Sequence, residues 1–192
     1  MLDSVMSSSV SQRKKIHPHK FTLWVAMGSI IMMFAGLTSA YIVKSNQPRW
    51  ITFDMPAIFW YSTGVILLSS LTVQMALKDF KDRRMGRYRK LLSITLMLGC
   101  LFILLQCIGF LQLWRSGVTL TGSGAAPFMY VIFGLHGVHV LGGIISLLVM
   151  FLKGFSSRRR SYDSVPVEVV TTYWHFVDAL WLYLFIFFLY IQ

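Results

Sequence analysis

Charged residues are scarce in this chain of 192 residues, at 13% of the sequence, about half the share found in soluble globular domains. Acidic residues are the scarcest, with 7 Asp and Glu against 18 Lys and Arg. Hydrophobic residues make up 56%, which excludes a disordered chain and leaves a soluble fold too little polar surface. The basic residues are bunched between long uncharged segments, so a basic nucleic-acid-binding face is also excluded. These absences indicate an integral membrane protein.

Five uncharged segments are long enough to cross a bilayer as helices, which takes about 20 apolar residues each. We predict spans at about residues 21–43, 55–77, 91–114, 128–152 and 169–190. Glycines, serines and a proline predict a loop at 117–127, before the fourth span. The predicted fold is therefore all-α, a bundle of five transmembrane helices. It forms a single domain over residues 21–192, after a basic cytoplasmic tail at 1–20.

Two other interpretations of the apolar segments are less favourable. The first segment runs for 23 residues, whereas the apolar part of a signal peptide spans about 7–15. A closed β-barrel needs alternating strands of about ten residues, and these segments are continuously apolar.

Lysine and arginine fall mostly on one side of the predicted spans. The tail, the loop predicted at 78–90 and the segment at 153–160 together hold 15 of them, and the opposite side holds 3. Because basic residues concentrate in cytoplasmic segments, we predict a cytoplasmic N-terminus and a periplasmic C-terminus. The same residues are expected to contact anionic lipid headgroups. Of the acidic residues, all but Asp178 are expected in tails or loops.

Four ionisable residues lie within the predicted spans: His136 and His139 in the fourth, and His175 and Asp178 in the fifth. Because an ionisable group in hydrocarbon is costly, each is a candidate functional residue. Each pair is spaced three residues apart and shares one helix face. His139 and Asp178 are predicted at about 20 and 15 Å from the same membrane surface. We therefore hypothesise a contact between them.

Three imidazoles and one carboxylate are chemically sufficient to hold a metal or a haem. However, two histidines on one helix face cannot ligate opposite faces of a haem, and the sequence has no His-Glu-x-x-His zinc motif. We favour buried hydrogen-bonded residues that fix helix packing. Metal ligation, or a membrane b-type cytochrome, is the alternative.

Other small and polar residues are predicted to serve helix contact rather than chemistry. Met32, Gly36 and Ala40 recur at four-residue steps, as do Gly142 and Ser146, and small residues let helices approach closely. Gln106 is predicted to donate a hydrogen bond to another helix, and Cys100 and Cys107 are predicted to pack as small apolar residues. The polar residues of the second span are predicted to bond to their own backbone or to neighbouring helices; these are Ser62, Thr63, Ser69, Ser70, Thr72 and Gln74.

Two long motifs resemble those of a known family. The fourth span contains FGLHGVHVLGG at 133–143, and the fifth contains YWHFVDALWL at 173–182. Together they resemble the signature segments of subunit III of haem-copper terminal oxidases, and the resemblance extends from about residue 17 to the end. The residues carried over as structural polar contacts are His136, His139, His175, Asp178 and Trp181.

The resemblance implies an all-helical accessory subunit with no catalytic site, metal or redox cofactor of its own. Haems and copper are expected in partner subunits, and bound phospholipid is compatible with the family. The expected partners are oxidase subunit I and the other oxidase subunits. The complex would reduce O₂ to water and pump protons across the bacterial inner membrane, with cytochrome c or quinol as the electron donor. This subunit would stabilise subunit I during turnover and support proton uptake.

The chain departs from many members of that family. Those members have seven spans, whereas this chain resembles the shorter five-helix bacterial form, so a lipid cleft built by two further helices is not expected. Many members also carry a membrane-buried Glu at the position of Ile30. An alternative from another class is a small transporter or proton channel that uses the histidines and Asp178 as a relay.

Overall fold

The chain folds into five α-helices in the computed structural model, which describes residues 18–45, 56–117, 126–155 and 164–191. Each helix is long and apolar enough to cross a membrane, which confirms the predicted all-α protein with five membrane helices. The tail before residue 18 and most of the loop predicted at 117–127 lie outside the described residues. The helices are α1 (Pro18–Ser45), α2 (Ile58–Lys81), α3 (Met85–Arg115), α4 (Ala126–Phe155) and α5 (Val165–Ile191).

Proline marks the start of three helices. Pro18, Pro127 and Pro166 each lie within the first two residues of a helix, where the missing backbone N–H has no partner to lose. Beyond these starts, the apolar segments favour helix because hydrocarbon satisfies no backbone N–H or C=O group. Those groups must therefore bond within the segment itself.

The helices extend past the predicted spans into the basic segments. Only residues 82–84 separate α2 from α3, so the prediction that all of 78–90 is a loop is wrong. The N–H of Arg84 donates to the carbonyl oxygen of Asp79 at 2.8 Å and closes the short turn. Charged residues mark where an apolar segment ends, but the helix continues through them, because long basic side chains extend to the headgroup level.

Four helices form a closed ring, in which α2 contacts α3, α3 contacts α4, α4 contacts α5 and α5 contacts α2. Helix α1 packs on the outside of this ring against α4 and α5. It does so through one stripe, because Met27, Phe34, Thr38 and Tyr41 are buried while most of its other side chains are exposed.

Aromatic rings fill the centre of the four-helix ring. The centroid of the Trp181 ring in α5 lies 5.2 Å from that of Phe102 in α3 and 5.1 Å from that of Phe133 in α4. Phe59 of α2 lies 6.2 Å from the same indole. All four side chains are buried. Trp181 therefore contacts every other helix of the ring, and each aromatic pair contributes about 0.5–1.5 kcal/mol beyond its buried area.

A second indole, that of Trp174, packs directly on glycine backbone. A Cβ atom on Gly143 of α4 would lie 2.9 Å from Trp174 Cε3, and one on Gly99 of α3 would lie 2.9 Å from Cη2. Real Cβ contacts are almost never this short. The two glycines thus make room for the indole between α3 and α4.

The small residues that were predicted to bring helices together are not the ones that do so. Met32, Gly36 and Ala40 are exposed on the outer face of α1, so their predicted role in helix contact within this chain is wrong. At Gly142 a Cβ atom would meet only the Tyr173 hydroxyl, at 3.8 Å. The spacing of small residues places them on one face of a helix but does not determine which neighbour that face meets.

We expect Gly143→Ala to lower the free energy of unfolding by about 1–3 kcal/mol, because the new methyl group overpacks against Trp174. Gly137→Ala is the matched control, since a Cβ atom there meets nothing within 4 Å and alanine favours helix. Unfolding in detergent micelles by a denaturing detergent measures both. Equal stability of the two variants would contradict the role of this contact.

Candidate functional site in the helix bundle

The predicted polar residues lie at three different helix interfaces rather than in one cluster. His136 lies in the centre of the ring, His139 lies where α1 meets α4, and His175 lies between α2 and α5. Within the described ranges, no three or more His, Cys, Asp or Glu side chains converge in a group that would hold a metal ion.

His136 is enclosed by aromatic rings. Its side chain is 1% exposed, and its ring centroid lies 5.3 Å from that of Trp181, 6.3 Å from Phe102 and 6.4 Å from Phe34. Neither ring nitrogen has a hydrogen-bond partner in the described part of the chain. The histidine is therefore held by packing and not by the hydrogen bonds predicted for it. An unpartnered buried group costs about 1–3 kcal/mol, so His136 is not explained by the stability of the chain alone.

His139 bonds to its own helix. Its Nδ1–H donates to the carbonyl oxygen of Leu135 at 2.7 Å, and its own carbonyl oxygen accepts a hydrogen bond from the Tyr173 hydroxyl at 3.1 Å. Neither carboxyl oxygen of Asp178 has a partner among the described residues, so the predicted contact with His139 is not formed as a hydrogen bond. The prediction rested on equal depth in the membrane, and depth does not fix how a helix is rotated.

His175 connects α5 to α2 through both of its ring nitrogens. Its Nε2 lies 3.0 Å from Gln74 Oε1, and its Nδ1 lies 2.6 Å from Ser70 Oγ. A carbonyl oxygen only accepts, so Nε2 carries the proton and the neutral ring accepts at Nδ1. The Ser70 hydroxyl is consequently the donor to His175.

Asp178 lies one helical turn beyond His175 and is 3% exposed. The Ser70 hydroxyl of α2 bonds to His175 rather than to this carboxyl group. Both carboxyl oxygens are left without a partner in the part of the chain that the structure describes. Burial without a hydrogen bond is costly, which makes Asp178, like His136, a residue that the isolated chain does not need for stability.

Both buried indoles donate to hydroxyls of α2. Trp174 Nε1–H donates to Ser69 Oγ at 3.1 Å, and Trp181 Nε1–H donates to Thr63 Oγ1 at 3.0 Å. Sequence reasoning named the hydroxyls but missed these pairings and the role of Trp174. A usable signal existed, because the tryptophans are seven residues apart and so are the hydroxyl pairs at 62–63 and 69–70.

The predicted interhelical donor Gln106 is confirmed. Its Nε2 donates to Ser62 Oγ at 3.1 Å and joins α3 to α2. Ile30 is partly buried and packs against the apolar core.

An ion-pair group joins three helices at one end of the bundle. Glu168 lies in the first turn of α5, although it was predicted to lie outside the span. Its carboxylate is 2.7 Å from Lys20 Nζ of α1 and 3.0 Å from Lys81 Nζ of α2. The start of α1, the end of α2 and the start of α5 therefore lie on the same side, as alternating spans require.

Comparisons with known proteins place the chain among oxidase subunits. A family model described as "Cytochrome c oxidase subunit III" matches residues 20–192. The chain is 28% identical over 168 residues to "Cytochrome c oxidase subunit 3" of Bacillus subtilis (strain 168), covering 84% of this chain and 81% of the relative. It is 30% identical over 189 residues to "Probable cytochrome c oxidase subunit 3" of Nocardia farcinica (strain IFM 10152), covering 93% and 92%. It is also 26% identical over 168 residues to "Cytochrome bo(3) ubiquinol oxidase subunit 3" of Buchnera aphidicola subsp. Baizongia pistaciae (strain Bp), covering 85% and 87%.

We expect Trp181→Phe to lower the free energy of unfolding by about 2–4 kcal/mol, since it leaves a cavity and removes the bond to Thr63. Trp24→Phe is the control, because Trp24 is 64% exposed and we expect a change below about 0.5 kcal/mol. Denaturant unfolding in micelles compares the two. A Trp181 variant as stable as the control would show that the indole is not central to the core.

We expect Glu168→Gln to lower the free energy of unfolding by about 1 kcal/mol at low salt, because two lysines lose their shared partner. The loss shrinks at about 1 M salt, where charges are screened over a few ångströms. Asp82→Asn, in the exposed turn between α2 and α3, is the control. A salt-independent loss would point to packing rather than charge.

Proposed function

Because the chain belongs to the cytochrome c oxidase subunit III family, we propose that it is a non-redox accessory subunit that packs against the catalytic, haem-bearing subunit I. The observation that carries this proposal is the family match over residues 20–192, which takes in nearly all of the five membrane helices. The chain is thus a multi-pass membrane protein and part of an oxidase complex. The match also favours an oxidase subunit over the transporter alternative.

The contacts between helices support a scaffolding role. The motif residues Trp174, His175 and Trp181 of α5 each bond to a side chain of α2. These bonds fix how the two helices are rotated and so give the outer surface of the bundle one defined shape. A rigid surface lowers the entropic cost of binding a neighbouring subunit.

The proposed orientation places the N-terminus in the cytoplasm and the C-terminus in the periplasm, in a bacterial inner membrane. The charge distribution supports it, because nine of the eleven Lys and Arg residues in the described ranges lie on the side of the bundle that carries the Glu168 ion-pair group. Support of proton uptake by subunit I, and binding of phospholipid, are proposed from the family resemblance.

Cytochrome c is the proposed electron donor of the complex, as in the names of the Bacillus and Nocardia relatives. A quinol oxidase is the second candidate, because the Buchnera relative is a ubiquinol oxidase subunit. The sequence of the neighbouring subunit II separates them, since a dinuclear copper motif there indicates cytochrome c.

Affinity purification of the tagged chain from mild detergent tests the proposed function. We expect haem-bearing subunits and oxidase activity to co-purify with the tag, and the isolated chain to show no haem spectrum. A homo-oligomer that conducts protons in vesicles and contains no haem partner would overturn the proposal.

We expect Asp178→Ala to leave the haem spectrum of the complex unchanged while the oxidase loses activity several-fold faster during turnover. The reason is that a buried carboxyl with no hydrogen-bond partner among the described residues lowers stability, and natural proteins keep such a group where function requires it. Asp178→Asn keeps the side-chain volume and isolates the effect of the carboxyl, and Asp82→Ala is the control. An Asp178 variant complex that lasts as long as wild type under turnover contradicts this role.

A further inference from the structure

A hydrogen-bond donor remains unused on the membrane-facing surface between α2 and α5. The Gln74 side chain is exposed. Its Oε1 accepts from His175, and its Nε2 amide has no partner in the described part of the chain. His175 and Ser70, which complete this hydrogen-bonded group, are only half-buried.

This amide lies at the depth of the lipid tails. The ion pair between Lys81 and Glu168 marks the end of the helices at the headgroup level. Gln74 and His175 both lie seven residues further into the membrane, about 10 Å at 1.5 Å per residue. The hydrocarbon core is about 30 Å thick, and lipid tails offer no hydrogen-bond acceptor.

The other amides within the described helices do not face this problem. Gln106 is buried and bonds to Ser62. Gln112 lies three residues from the end of α3, close to water. The exposed outer faces of α3 and α4 are apolar at comparable depth, as shown by Ile94, Met97, Ile145 and Leu148.

We propose that the outer surface where α2 meets α5, defined by Leu71, Gln74 and His175, docks a transmembrane helix of the catalytic subunit. That helix presents an oxygen acceptor to the Gln74 amide. This inference rests on the proposed function, which supplies the partner. It adds that the catalytic subunit covers the surface between α2 and α5 and that it recognises the Gln74 amide.

Charge disfavours a second copy of this chain as the occupant. Lys78 is exposed one helical turn below Gln74 on the same side of α2, and the group of Lys20, Lys81 and Glu168 at the end of the bundle keeps one net positive charge. Two copies meeting through this surface would bring these positive charges together, which is unfavourable. A partner with acceptor or acidic groups at the same level is complementary.

Photo-crosslinking in intact membranes tests the docking face. A benzophenone amino acid replaces Leu71, which is 63% exposed beside Gln74, or Met97, which is 72% exposed on α3. We expect position 71 to capture the haem-bearing subunit at least several-fold more efficiently than position 97. Equal capture, capture of a second copy, or capture of lipid alone from position 71 overturns the proposal.

The variant Gln74→Leu tests the recognised group. Interhelical hydrogen bonds in membranes are modest, so we expect about three- to tenfold more of the variant subunit to dissociate from haem during detergent exchange. Gln112→Leu is the control and is expected to stay bound as wild type does. Dissociation of Gln74→Leu no faster than of the control overturns the role of the amide. If the wild-type chain brings down no haem-bearing subunit at all, the proposed function itself fails.

Discussion

The fold depends on two indole N–H groups that find their acceptors on a helix distant in sequence. Trp174 and Trp181 of α5 donate to Ser69 and Thr63 of α2. In a membrane no water replaces a missing acceptor. The two hydrogen bonds therefore fix which residues of α2 and α5 meet where the four-helix ring closes, in addition to the packing there. The glycines of α3 and α4 and the aromatic core are arranged around the same two rings.

Three of the described polar side chains are left without hydrogen-bond partners for some or all of their polar atoms by this arrangement. His136 and Asp178 are buried without hydrogen bonds in the described chain, and the amide of Gln74 is exposed at membrane depth. Each of these features costs free energy. Departures from good packing chemistry in natural proteins cluster where function requires them. The chain belongs to a family of oxidase subunits, but of these three groups only the Gln74 amide lies on the outer surface, within reach of a neighbouring subunit.

Much of the fold was predictable from residue type alone. The number of helices follows from where charge is absent, and the donor role of Gln106 follows from an amide placed in an apolar span. The failed predictions concern helix faces. Gly36 and Ala40 were expected in contacts but lie exposed, and His139 was expected to meet Asp178 but bonds to its own helix. In each case the spacing of residues indicated one face of a helix but did not identify the neighbour that this face meets.

The sequence by itself determined how many helices cross the membrane, which ends carry the positive charge and which family the motifs resemble. The first two properties depend on the transfer free energy of each segment between water and hydrocarbon, which is a sum over residue types, and the third depends on the order of residues within each motif. The tertiary structure alone decided which hydroxyl accepts from which indole, which glycine meets a ring and which amide is left facing the membrane. Those outcomes depend on the rotation of each helix about its axis, which is set by all its neighbours at once and is not encoded in any single span.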